Sequence, residues 1–159
     1  MTPSKSILAT LVTILGFCTL SGCTTAPTTN PSGLPMTSMQ IGSKTYQLEI
    51  AADDASREHG LMERDTLDKD HGMIFVFDTP AEQSFWMHHT RFSLDIIFAD
   101  EKDKIVSIHT MKAYDESTTP SNGVSKYAIE LNEGEAAADG VKVGDKLDIP
   151  PAVDAALKK

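Results

Sequence analysis

Residues 45–50, Thr-Tyr-Gln-Leu-Glu-Ile, alternate polar and apolar side chains, the period of a strand with one face in a core. Residues 73–77, Met-Ile-Phe-Val-Phe, are apolar throughout and predict a central strand buried on both faces. Asp78-Thr79-Pro80 should stop it, since proline removes a ladder donor. Further strands are predicted over residues 84–90, 94–99, 104–108, 127–131 and 146–149, with Asp100-Glu101-Lys102-Asp103 as a hairpin turn. A short helix should start at Asp53, with acids at its positive end, and stop at Gly60; a second is expected over residues 133–138. The polar stretch 114–125, with Asn122-Gly123, reads as an exposed loop, and residues 150–159 have room for one helical turn. The pattern predicts a mainly β (α+β) single domain, a small barrel or a packed pair of sheets, with two short helices.

Upstream the pattern changes. Residues 7–20 carry no charge and follow a single cation, Lys5. Such a run is too short to span a bilayer comfortably and fits the apolar region of a signal peptide. It closes on Leu20-Ser21-Gly22-Cys23, which resembles a lipoprotein lipobox with small residues before the cleavage point. The expected organisation is a signal peptide over residues 1–22, a lipidated Cys23 leading a flexible tether to residue 40, and a folded domain over residues 41–159. Thr24 follows Cys23 where lipoproteins retained at the inner membrane have aspartate. The expected location is therefore the cell envelope, facing the periplasm, on the outer membrane if the source is Gram-negative.

Charge and cysteine content narrow the partners. A formal net charge of −9, more negative still once Lys5 is removed, repels nucleic-acid phosphates and anionic lipid. Membrane contact then falls to the acyl anchor. The two cysteines are Cys18, inside the signal, and Cys23, so the mature domain has no thiol for a disulfide, a nucleophile or a Cys-based metal site.

Six motifs occur in order: Arg57-x-x-Gly60-Leu61-Met62-x-Arg64, Gly72-Met73-Ile74-Phe75-Val76-Phe77, Phe85-Trp86-Met87-x-x-Thr90, Leu94-Asp95-Ile96-Ile97-Phe98, Tyr127-x-Ile129-Glu130-Leu131 and Gly140-Val141-x-x-Gly144-Asp145. Together they resemble the DUF192 (UPF0127) family over most of the mature domain. The resemblance implies a compact β-rich domain, frequently behind a signal peptide, with no established activity. His89 stands where that family usually has asparagine.

The same residues supply the candidate chemistry. In an extended strand, Phe85, Met87 and His89 would face one way and Trp86, His88 and Thr90 the other, which separates the two histidines. Asp95 shares a strand face with Ile97, and a carboxylate among apolar groups needs a partner. Arg57, Arg64 and Arg91 are candidates, with Arg64 preferred; Glu130, between Ile129 and Leu131, raises the same question. These charges either form a structural network or line a ligand cleft beside Trp86, the single tryptophan. The candidate ligand residues are Arg64, Trp86, His88, Asp95 and Glu130, with a small molecule or envelope component as the partner. Met62, Met73, Met87, His88 and His89 include ligands suited to copper but lack a metal-binding spacing, so neither metal nor cofactor is assigned. An imaginable Ser84–His88–Asp95 triad lacks the supporting elbow motif. Two other classes remain: an envelope hydrolase using Asp95 and Glu130 as acid and base, and an interaction or assembly factor marked by an exposed apolar patch.

Overall fold

The computed structural model describes Met1, Asn30 and residues 32–157. Residues 2–22 of the expected signal segment, Cys23, and residues 24–29 and 31 of the expected tether lie outside the described residues. Six strands and three short helices follow in the order β1 (Met36–Ile41), β2 (Lys44–Ala51), α1 (Asp54–His59), β3 (His71–Phe85), β4 (Leu94–Ala99), β5 (Ile105–Met111), β6 (Thr119–Asn132), α2 (Glu135–Ala138) and α3 (Pro151–Ala156). The strands form one open sheet in the order β1-β2-β3-β6-β4-β5. Only β2 and β3 run parallel; the other neighbours are antiparallel. The mainly β class holds, as a single open mixed sheet with a core on each face.

Alternation assigns the faces. One core holds Ile74 and Val76 of β3, Ile97 of β4 and Ile129 and Leu131 of β6, covered by Ala136 of α2 and Val153 of α3. The other holds Met73 and Phe75, Ile96 and Phe98, and Ala128, covered by Leu61 and Met87 from connecting segments. Each fully buried large side chain contributes roughly 1.5–3 kcal/mol, so both faces are firmly tied to their covers. Gly72 permits close contact between β3 and β6, because a Cβ there would lie 2.4 Å from the Glu130 carbonyl oxygen.

Several boundaries differ from the sequence expectation. The tether was expected to reach residue 40, but Met36–Ile41 is already an edge strand paired with β2. β3 continues past Pro80 to Phe85 because a register shift between Val76 and Ala81 absorbs the irregularity. Its second half pairs with Thr119–Ser125, so most of the expected loop is strand. The strand expected over residues 84–90 ends at Phe85, and the last one, over 146–149, reduces to a Lys104–Lys146 bridge. The expected helical turn at the tail is a third helix, α3. Among the described residues no helix is long and apolar enough to cross a membrane.

Candidate functional site

The connection from β2 to β3 must cross the sheet, because parallel neighbours cannot be joined by a tight turn. It does so through α1. Asp53 caps this helix, its carboxylate accepting from the Ser56 amide at 2.8 Å. Arg57 then clamps it down: Nη1 donates to the Ala52 and Val76 carbonyls at 2.6 and 3.0 Å, and Nη2 bonds Asp54 at 2.5 Å. Gly60 ends the helix with φ of 50° and lies against Phe75, whose Cζ a Cβ would approach to 3.4 Å.

Two recesses flank the segment after α1, and His59, Gly60 and Met62 line both. The smaller has a volume of about 230 Å³. Glu130 lines it together with Leu61, Phe75, Phe77, Phe85 and Trp86. Phe85 stands edge-on to Phe75, with centroids 5.0 Å apart at 84°, and to Phe77 at 6.5 Å and 86°. The rings therefore make a corner, and Trp86, 47% exposed, lies toward solvent.

Glu130 is only 5% exposed and makes no side-chain hydrogen bond to another described residue. Its cross-strand neighbours are Met73 and Ile96. Burial pushes its carboxyl up to about 8, and the Arg64 charge offsets this only in part. At neutral pH the group is chiefly a neutral acid with an O–H to donate.

The larger recess, about 850 Å³, contains Arg64 and Glu49. Arg64 grips Glu49 through two parallel bonds, Nη1 to Oε1 at 2.6 Å and Nη2 to Oε2 at 2.8 Å. The Ser32 hydroxyl donates to the same carboxylate at 2.7 Å. Burial alone would raise the Glu49 carboxyl, but hydrogen bonds from Arg64, Asn30 and Ser32 hold it below its ordinary value.

Asp95 corrects the expected pairing. It is 3% exposed and shares its sheet face with Ile97, whereas Arg64 and Glu130 lie on the other face. Its Oδ2 accepts from the Gly134 and Ala136 amides at 2.9 and 3.1 Å, and its Oδ1 from Thr110 Oγ1 at 2.8 Å. It caps α2, whose own N-cap is a glycine without a side chain to do so. The Arg64–Asp95 partnership and the Asp95–Glu130 acid–base pair are therefore both absent from the folded domain.

The histidines also differ from expectation. The chain leaves β3 after Phe85 and His89 adopts φ of 51°, so the alternation fails and the two rings stack at 3.9 Å instead of facing apart. His88 also stacks on Trp86 at 4.7 Å, and its Nδ1 lies 3.0 Å from Glu116. His88 thus supports Trp86 from outside the pocket lining. Among the described residues no group of three or more His, Cys, Asp or Glu side chains is placed to hold a metal.

Of the five candidate residues, the fold brings Trp86 and Glu130 to one pocket, puts Arg64 in the adjoining one and His88 behind the tryptophan, and sends Asp95 elsewhere. The sequence reading missed Glu49, Phe75 and Phe85. Phe75 was visible as a residue of a doubly buried strand, and its parity with Met73 was the available signal. Glu49 looked like the solvent side of β2 because the cover supplied by the crossover was not foreseen.

Residues 37–149 match the model of DUF192, described as an uncharacterized ACR. The chain belongs to this family. Two solved structures share the DUF192 chain's fold. A protein of unknown function from Novosphingobium aromaticivorans is 34% identical, with a TM-score of 0.72, over 79% of this chain and 94% of that one. A protein from Sinorhizobium meliloti, described as a candidate transcription regulator, is 32% identical, with a TM-score of 0.65, over 70% of this chain and 89% of that one. A search of curated proteins found no significant match to this DUF192 chain.

Proposed function

We propose that this protein is a lipid-anchored cell-envelope binding module that takes a small molecule or envelope component into the aromatic pocket over Glu130. The observation that carries the binding role is the Glu130 carboxyl: buried at a recess lined by Phe75, Phe85 and Trp86, with no side-chain hydrogen bond to a described residue. The carboxyl reaches the recess with no protein partner, so a ligand that hydrogen-bonds or pairs with it gains a contact the fold leaves unmade. Trp86, partly exposed at the same recess, gives such a ligand a flat apolar surface.

The address is supported by the apolar run over residues 7–20 and by Leu20-Ser21-Gly22-Cys23. With a net charge of −9, attachment to anionic membranes depends on the acyl group proposed at Cys23. The same charge gives no support for carrying transcriptional regulation over from the Sinorhizobium relative. A hydrolase using paired Asp95 and Glu130 has lost its geometric premise, since the two lie on opposite faces of the sheet.

Trp86 is the single tryptophan, so its fluorescence reports on this pocket directly. Titration against periplasmic metabolites and cell-wall fragments should reveal a saturable change that Glu130→Gln weakens. A flat response across the panel, with the domain folded, would leave the pocket without a binding role. For the anchor, Cys23→Ala should fold and fractionate as soluble; its stable retention in membranes would remove the lipoprotein reading.

A further inference from the structure

The smaller pocket joins three features in one space. Its walls are aromatic rings set at right angles, Phe85 against Phe75 and Phe77, with Trp86 beside them. Its one deeply buried acid, Glu130, has no counter-ion in contact. The nearby arginines are engaged elsewhere: Arg57 with two carbonyls and Asp54, Arg64 with Glu49. An anionic ligand would therefore find no uncommitted cation there among the described residues. The Phe77 ring already carries the Arg57 guanidinium, 5.5 Å from its centroid, which leaves Phe85 and Trp86 as the aromatic walls a positive charge would meet, beside a carboxyl able to ionise against it.

We infer that this pocket receives the head of a small organic cation, a quaternary ammonium or protonated amine, with Glu130 as counter-ion and Phe85 and Trp86 as walls. This rests on the reading of the pocket as a ligand site and goes further by naming the ligand's chemistry. At about 230 Å³ the space is smaller than the roughly 300–1,000 Å³ of pockets that enclose drug-sized ligands, so it fits a head group. His59, Gly60 and Met62 line both this space and the 850 Å³ recess, so the two lie side by side with a shared wall. The net charge of −9 favours cations in the approach as well.

The binding carries a proton signature. With burial pushing its carboxyl up to about 8, Glu130 is mainly protonated at neutral pH and must release its proton to pair with a quaternary cation, which has none of its own. The charged and titratable groups beside it are Arg57, Glu58 and His59 of α1 and Arg64 beyond. β3 and β4 place Met73 and Ile96 next to it, and Glu49 on β2 is held by Arg64. Affinity for a quaternary cation should rise with pH up to about 8, by at most about tenfold per unit, and then level off.

Choline and its uncharged carbon isostere 3,3-dimethyl-1-butanol are the probes, titrated by Trp86 fluorescence and calorimetry between about pH 6 and 9. The expected result is a preference for choline of about tenfold or more at pH 8, proton release on binding, and loss of both in Glu130→Gln. Circular dichroism checks that this isosteric variant stays folded. Equal affinity for the two probes would overturn the cation assignment while leaving the pocket a ligand site. The same holds if neither probe binds but an uncharged or anionic molecule from the wider panel does. If nothing binds in the pocket, the inference and the function it rests on fall together.

Discussion

Asp95 and Glu130 are buried acids on adjacent strands, one register step apart, yet they point to opposite faces and meet opposite fates. Asp95 accepts three hydrogen bonds and fixes α2 to the sheet. Glu130 accepts none from described side chains and borders an open recess. Burial is nearly equal for the two, so burial does not separate a structural acid from a candidate ligand group; the supply of partners does. Glu49 lies between these extremes, as deeply buried as Glu130 but held by Arg64 and Ser32.

The contrast is sharpest in stability measurements. Asp95→Ala should be the most damaging change, lowering unfolding free energy by about 3–4 kcal/mol, because two amides and a hydroxyl lose their acceptor. Chemical denaturation checks this, and a loss below about 1 kcal/mol would mean that α2 is capped without it. Glu130→Gln should act in the opposite direction. The folded protein holds a proton on Glu130 that the unfolded chain releases above its ordinary value of 4.5, so wild-type stability falls as pH rises from there to about 8. The glutamine variant removes this slope and should gain on the order of 3 kcal/mol at pH 7 and nothing near pH 4.5. Parallel pH profiles for the two proteins would show Glu130 to be partnered after all.

Arg64→Ala should cost about 2 kcal/mol, since it strips a buried carboxylate of its fork but leaves Ser32 in place and acts at a part-exposed site. Glu49→Gln in the same background should recover part of the loss, as a double-mutant cycle would show. The smallest effect belongs to Trp86→Phe, with less than about 1 kcal/mol expected because the indole is half exposed. A large loss there would make Trp86 a core residue instead of a pocket wall.

The strands with strong apolar signals, β2, the first half of β3, β4 and β5, were legible because alternation or a continuous apolar run is a local property. The Asp53 start of α1 was legible for the same reason, through the acids of its first turn. β1 and the first half of β6 were not. Met-Thr-Ser-Met-Gln-Ile and Thr-Pro-Ser-Asn-Gly-Val look like tether and loop, and become strand because an apolar neighbour offers a ladder. The site was legible as residues but not as partnerships. Asp95 and Glu130 were both flagged, while Asp95's partners lie in α2 and β5, where side-chain type gives no hint: two are backbone amides. His88 and His89 were expected on opposite strand faces, and their stacking follows from a left-handed turn at His89 that a single sequence does not announce.

The parallel pairing of β2 with β3 has a consequence for the order of events in folding. The β1–β2 hairpin closes across Gly42-Ser43, whereas Ile50–Ile74 and Ile74–Ile129 pairings must each close a long stretch of chain. His59, Gly60 and Met62 belong to the crossover inside the first of those closures, so the recesses they separate exist only after the slow step is complete. A ligand there meets nothing to hold in the nascent chain. Its signature in kinetics is a slower unfolding limb with the folding limb unmoved.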